Sequence, residues 1–412
     1  MKKNNFPCGF LKMDTAPRLR RFILLIVPAI LFLCASIGCR ATPAPKQYQA
    51  PANAEAVSGR PIVFMTASEL AEAIRSGRLT SLEVVSAHID HIHKYNPGLN
   101  AIVFIDEKAA LERARQADEA LARGEIWGPL HGVPVSIKDH FAVKGMRITN
   151  AFPPLADQVT NFDATVVKRL RDAGAIILGI TNMPVMAMDV QTSNPIYGRT
   201  NNPWDATRTT GGSTGGGAAA VASGMSPLTI GSDLAGSIRI PSAFCGIYGI
   251  KPTDARFFMY TMGGLERRRS PLLQMVYPAT YDKFIEECSR REILIAHLEQ
   301  FLMEWDVFIC PVTTRPAYKH IEPDDVIFGY NIYRAPIPVD DHQLNYWTAN
   351  AAYTSPFNTT GHPAVTLPAG YSEDGMPIGL QIVGRRWHDM ELLDVAEMID
   401  TVAGDYREPA GY

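Results

Sequence analysis

A single large α/β domain, with a mixed and largely central β-sheet covered by helices on both sides, is predicted by three features of the sequence. The chain has 412 residues and is 46% hydrophobic, enough to bury one large core. Between positions 132 and 181 an apolar strand, a helix and a second apolar strand follow one another as a βαβ unit, the arrangement that builds parallel pairing. Two capping-box sequences open amphipathic helices near the start of the domain, and a long amphipathic helix precedes another strand in the C-terminal half.

The domain is predicted over residues 60–412. Thr66-x-x-Glu69 and Thr80-x-x-Glu83 each begin a helix, and the second is expected to stop near Tyr95, where Asn96-Pro97-Gly98 follows. His88, His91 and His93 with Asp90 lie on this helix. His93 falls further round and no carboxylate completes a metal motif, so the run reads as a solvated face. Glu107–Arg123 is expected to be a long exposed helix broken by Gly124. Gly132–Asp139 is a strand ending in Lys138; Asp163 is expected to cap a helix reaching Ala173, Gly174 closes it, and Ala175–Thr181 is a buried strand. Gly215–Ser223 reads as a short helix of small residues, and Leu228–Ile230 as a strand leading into Gly231-Ser232-Asp233. The helix Lys283–Glu304 precedes the strand Asp306–Cys310. Ala364–Pro368 and Ile378–Val383 are strands joined through Asp374-Gly375, and Asp389–Val402 is a closing helix ended by Gly404.

Residues 1–38 carry six Lys or Arg and one acid, a net +5, which leaves −8 for the remainder of a chain whose formal charge is −3. Basic residues ahead of the apolar run Phe22–Ile37 form the pattern of an export signal peptide. Ser36-Ile37-Gly38-Cys39 resembles a lipoprotein processing site with Cys39 as the lipidated residue, although Ser36 stands where Leu is usual; lipid attachment to a membrane and simple cleavage both remain open. Residues 39–59, rich in Ala and Pro, read as a flexible tether. No basic, aromatic-interleaved patch follows residue 40, which argues against a nucleic-acid partner. Of the six cysteines, Cys8 and Cys34 fall in the signal; Cys245 and Cys310 sit in apolar surroundings that suit buried thiols, and no C-x-x-C pair suggests zinc.

The chemistry concentrates between Thr209 and Thr253, where Ser213 and Ser237 lie among glycines that let backbone N–H groups approach a reacting atom. Gly211-Gly212-Ser213-Thr214-Gly215 satisfies the nucleophile-elbow pattern G-x-S-x-G. That elbow follows a buried strand, whereas Asp205–Thr210 is polar and turn-like. A phosphate cradle is disfavoured because the Walker spacing and its lysine are missing.

Set beside Lys138, the two serines resemble the amidase signature family of serine hydrolases. The resemblance runs through Gly132–Asp139, Gly179–Pro184, Gly211–Gly216, Gly231–Thr253, Asp306–Pro311 and the C-terminal strands. It implies a Ser-Ser-Lys triad: Ser237 as nucleophile, Ser213 as the bridging serine held by a cis peptide, and Lys138 as general base. Burial suits that last role, since desolvation lowers a lysine pKa towards working pH. The implied oxyanion hole is the backbone N–H of Leu234, Ala235, Gly236 and Ser237, with Ala235 where glycine is usual; Thr214 stands where a second serine is usual. Met183, Met186 and Thr214 fall near the family's substrate pocket, and Asp233 and Arg239 read as a pair holding the loop.

What the resemblance implies is a hydrolase of linear or cyclic carboxamides, with ester side activity, that takes a small-molecule amide and needs no cofactor or metal. A family branch that feeds ammonia to a tRNA-bound substrate is cytosolic, and the export signal argues against it. Only 56 residues separate Thr253 from Cys310, an interval longer in the family, so the domain is shortened between 254 and 305. That leaves a second reading open, an inactive remnant acting as an envelope scaffold or binding protein.

Overall fold

In a computed structural model, residues 60–254, 281–327 and 329–412 are described. The signal, the tether, Cys39 and the stretch from Phe257 to Arg269 lie outside the described residues. The described chain is a mixed α/β fold whose main strands form two four-stranded sheets.

The first helix, α1 (Ala67–Arg75), starts at the Thr66/Glu69 capping box, and α2 (Ser81–Leu99) at the Thr80/Glu83 box. Helix α2 does not stop at Asn96. It runs on through Pro97 to Leu99 and ends on Asn100 at φ 52°. A proline here removes one backbone donor in the last turn only. The Asn96 side chain fastens that turn by accepting from Ala101 N and Ile102 N at 2.8 and 2.9 Å. His88 is fully buried on α2, in the same stripe as Val84, Val85, Ile89 and Ile92, so the expected solvated face holds Asp90 and His93 but not His88. The three rings diverge: His88 meets Val84 O, His91 meets Ser223 O and His93 meets Glu107.

After β1 (Ile102–Ile105), α3 (Glu107–Ala122) is exposed on one face only, because Ala110, Ala114, Ala117 and Ala120 pack inward at helical spacing. Strand β2 (Pro134–Lys138) is wholly buried, and α4 (Thr165–Asp172) returns the chain to β3 (Ile176–Thr181), parallel to β2. Asp163 does not cap α4. Ala164 occupies the N-cap position, and the Asp163 carboxylate instead accepts from Lys144 N and pairs with Arg171.

Two short strands, β4 (Ser193–Asn194) and β5 (Gly198–Arg199), precede α5 (Gly215–Ala222), β6 (Thr229–Ile230), α6 (Arg239–Cys245) and β7 (Gly249–Lys251). The first sheet has the order β1-β3-β2-β6, antiparallel between β1 and β3 and parallel elsewhere. Ile176 and Leu178 of β3 pack with α2, α3 and α5, whereas Ile177 and Ile180 pack on the other side with Val143, Ile148 and Val167 of α4. Both faces of the sheet are therefore covered.

The C-terminal half contains α7 (Tyr281–Glu304), β8 (Phe308–Pro311), the hairpin β9 (Asp325–Ile327) with β10 (Tyr330–Ile332), and the hairpin β11 (Ile337–Val339) with β12 (His342–Leu344). Next come α8 (Tyr346–Ala351), α9 (Ser355–Thr360), β13 (Ala364–Tyr371), β14 (Pro377–Val383) and α10 (Asp389–Ala403). Antiparallel pairing gives the second sheet the order β7-β13-β14-β8. The end strands β6 and β7 of the two sheets both line one largely apolar cavity of about 690 Å³, with Phe64, Ile238 and Ile247. Among the described residues, no helix is long and apolar enough to cross a membrane. Cys245 and Cys310 are buried, and Cys288 is half-buried.

Candidate active site

The carboxyl ends of the parallel strands β2 and β6 open onto one region, the usual position for chemistry on a parallel sheet. Lys138, the last residue of β2, is fully buried there. Its Nζ donates to Ser213 Oγ at 2.6 Å, to Ser232 Oγ at 2.9 Å and to Thr214 Oγ1 at 3.1 Å. Burial lowers the Lys138 pKa to about 7, against the opposing pull of the Asp233 carboxylate. Near neutral pH a large share of the amine is therefore unprotonated and able to take a proton from a hydroxyl. Asp139, the next residue, turns away and accepts from Thr149 N and Oγ1 and from Ala151 N. Burial raises its pKa against those bonds.

Ser213 follows a cis Gly212–Ser213 peptide at the start of α5. Thr214 N donates to Ser237 O at 3.1 Å, which draws the half-buried Ser237 against the Ser213–Thr214 turn. The Ser237 hydroxyl has no hydrogen-bond partner among the described residues. Lys138, Ser213 and Ser237 thus come together from three parts of the chain, with Ser232 and Thr214 as additional hydroxyls around the amine.

The loop from Asp233 to Ser237 is held from inside. Asp233 accepts from Gly236 N at 2.8 Å, Ile238 N at 3.1 Å and Arg239 N at 3.2 Å. Its two oxygens also meet Arg239 Nη2 and Nε, each at 3.0 Å, in a pair with almost no solvent exposure. Burial pushes the Asp233 carboxyl up, but the Arg239 guanidinium, Asn358 and the Gly236 N–H outweigh it and hold the group well below the usual carboxylate range. Arg239 in turn donates to Gln381 Oε1 on β14 at 2.9 Å and contacts Asn358 Oδ1 on α9, while Asn358 Nδ2 donates to both Asp233 O and Asp233 Oδ1 at 2.9 Å.

This arrangement changes the expected oxyanion hole. The Gly236 N–H is committed to Asp233, so of the four expected donors the N–H groups of Leu234, Ala235 and Ser237 are those with no partner among the described residues. A carboxylate three residues earlier in a tight loop is a better acceptor than a neutral substrate oxygen, which is why it captures that donor. Gly236 has φ +110°, and an added Cβ would lie 2.7 Å from Ile240 Cδ1, so only glycine fits. Ala235 has no positive φ, and the alanine departure leaves the loop conformation undisturbed. Thr354 Oγ1 donates to Ala235 O at 2.8 Å.

Of the expected substrate contacts, Met183 is fully buried. Met186 is 40% exposed, with φ 51° and its N–H bonded to Asn150 O. Thr214 belongs to the lysine cluster. Ser232, Thr354, Asn358 and Gln381 are site residues that sequence reasoning missed. Ser232 had a signal, its place in the turn before Asp233; the other three had none. Among the described residues, no three His, Cys, Asp or Glu side chains gather as metal ligands would.

Comparison with known proteins bears on these features. The sequence model of the family described as Amidase matches residues 83–270 and 266–393. A glutamyl-tRNA(Gln) amidotransferase subunit from Alkaliphilus metalliredigens (strain QYMF) is 43% identical over 225 residues, covering 55% of this chain and 45% of that protein. The chain spans about half the length of the curated relatives it matches. A bacterial aryl acylamidase of the amidase signature enzymes superposes with a TM-score of 0.73 at 19% identity over 86% of this chain and 100% of that one. The 6-aminohexanoate cyclic dimer hydrolase with bound substrate superposes with a TM-score of 0.67 at 23% identity, over 84% and 99%. These two likenesses concern the fold.

Proposed function

The chain belongs to the amidase family, and from that premise we propose that it is an exported serine hydrolase cleaving carboxamide C–N bonds through an acyl-enzyme on Ser237. The observation that carries this reading is the buried Lys138 amine, with a pKa lowered to about 7, at 2.6 Å from Ser213 Oγ. Neutral Lys138 takes the Ser213 proton as Ser213 takes that of Ser237, and Ser237 Oγ bonds to the substrate carbonyl carbon. The carbonyl oxygen becomes an oxyanion met by the N–H groups of Leu234, Ala235 and Ser237; one such donor is typically worth about 3 kcal/mol in the barrier. On collapse the C–N bond breaks, and the proton held by Lys138 returns through Ser213 to the leaving nitrogen. Water then adds to the acyl carbon, gives its proton to the same relay, and the acid leaves as Ser237 regains its proton.

By name the relatives include an amidotransferase, a cyclic dimer hydrolase and an aryl acylamidase, and this chain's substrate is proposed no more finely than a linear or cyclic carboxamide. Export, and lipid attachment at Cys39, rest on the basic and apolar pattern of residues 1–39. A fluorophosphonate probe followed by peptide mapping tests the chemistry. Label on Ser237 that disappears in Lys138→Ala supports the triad, whereas label on Ser213 favours the elbow arrangement. An unlabelled protein that unfolds cooperatively and turns over neither amide nor ester is the inactive scaffold instead.

A further inference from the structure

The loop after β3 carries Asp189, a carboxylate that is 4% exposed and, among the described residues, has no Lys, Arg or His within salt-bridge distance. Its Oδ1 accepts from Tyr346 Oη at 2.6 Å, Val190 N at 2.7 Å and Gln191 N at 3.2 Å. Its Oδ2 accepts from Tyr333 Oη at 2.8 Å and Asn331 Nδ2 at 2.9 Å. Burial raises its pKa, and the hydrogen bonds from Tyr346, Asn331, Tyr333 and Gln191 N oppose the rise. A buried carboxylate without a counter-ion is costly, so its place in the fold calls for a physical reason.

The reason lies in what its backbone touches. The Asp189–Gln191 main chain is the floor beneath Gly212: a Cβ on Gly212 would lie 2.7 Å from Asp189 O, 3.0 Å from Val190 C and 3.2 Å from Gln191 N. One residue further along, Thr192 Oγ1 donates to Gly211 O at 2.9 Å. Gly212 is bonded directly to Ser213, whose hydroxyl must meet Lys138. The side-chain donors to Asp189 come from elsewhere: Asn331 on β10, Tyr333 just after it, and Tyr346 opening α8. The two tyrosine rings stack with centroids 4.0 Å apart. Asp189 therefore ties the C-terminal half to the segment on which the relay serine sits.

We propose that Asp189 is a positioning residue for Ser213: its carboxylate, gripped by Tyr333, Tyr346 and Asn331, fixes the floor that seats Gly212 and so holds Ser213 Oγ against Lys138. It acts without touching substrate, and it rests on the Ser237–Ser213–Lys138 chemistry proposed above. A displacement of about 1 Å at a reacting group can slow a reaction on the order of 100-fold, so a loosened floor is expressed in rate rather than in binding.

The test is a double-mutant cycle in the rate of fluorophosphonate labelling at Ser237, with the saturating rate and the half-saturating probe concentration measured separately. Asp189→Asn keeps the shape but turns one acceptor into a donor facing donors. The expected result is a saturating rate lower by about tenfold or more, with the half-saturating concentration within about twofold. In a Ser213→Ala background the same substitution should change nothing further, because the group it positions is gone. Equal slowing in both backgrounds, or no slowing in either, overturns the proposal. Should Asp189→Asn not fold, the Tyr333→Phe/Tyr346→Phe variant removes two donors and keeps the carboxylate, with the same expected pattern. If Ser213→Ala alone labels at the wild-type rate, the relay chemistry itself fails, an outcome distinct from failure of the Asp189 proposal.

Discussion

Lowering the pH withdraws the base, and the size of the effect follows from the lysine. With its pKa lowered to about 7, Lys138 is half neutral at pH 7; at the ordinary value for lysine, roughly one molecule in 3,000 would be. Labelling of Ser237 should therefore fall tenfold per pH unit below about 7 and reach a plateau above it, giving about 100-fold slower labelling at pH 5 than at pH 7.5–8. His140 is the adjacent group to control for, since burial and the charge of Lys138 lower its pKa; His140→Gln should leave the limb in place. The same shift has a stability signature with the sign opposite to that of a salt-bridged lysine. The folded pKa lies below the unfolded one, so between about 7 and 10.5 the unfolded chain binds more protons and stability rises with pH. Relative to Lys138→Met, the wild-type protein should gain stability across that window, by an amount on the order of 4 kcal/mol for a fully buried amine. A labelling rate flat between pH 5 and 9 in folded protein would refute the assignment of Lys138 as base.

Four further substitutions probe the frame. Gly236→Ala forces a side chain onto φ +110° against Ile240 and Thr354, and should cost about 1–3 kcal/mol in urea unfolding together with most of the labelling rate. Arg239→Met strands the Asp233 carboxylate in the interior; a loss of about 3–5 kcal/mol is expected, and a change under about 1 kcal/mol would mean the pair is not the anchor of the loop. Met183→Ala should lower stability by about 2–5 kcal/mol with unchanged probe affinity, as expected of a core residue, whereas Met186→Ala should leave thermal unfolding nearly unaltered.

The meeting of Lys138 with Ser213 was expected from the resemblance of several ordered motifs to the amidase signature family. Taken alone, a lysine ending an apolar strand reads as a surface charge and serines among glycines as a tight turn; it is their combination that pointed to one place. The βαβ unit was legible from its apolar runs and the closing Gly174. Errors arose where a side chain's neighbour is remote or its type misleads. His88 stands four residues after Val84 and four before Ile92, so spacing alone put it on the buried stripe, yet its polarity suggested solvent. Asp163 had the composition of a cap, but Lys144 and Arg171, distant in sequence, took its oxygens. Thr354 and Asn358 lie 119 or more residues from the loop they brace, and no periodicity announces that contact.

The same remote contacts bear on the shortening after Thr253 that the sequence leads us to propose. Asp233 is the centre of the Asp233–Ser237 loop, and each of its named partners comes from Gly236, Ile238, Arg239 or Asn358; Arg239 is steadied by Gln381 of β14. Lys138 is enclosed by Ser213, Thr214 and Ser232, on segments that follow β5 and β6. None of these contacts draws on residues 255–280. We expect such shortening to lower stability through unpaired strand edges while leaving these named contacts in place. Labelling at Ser237 in a protein of modest thermal stability is the outcome that fits both consequences.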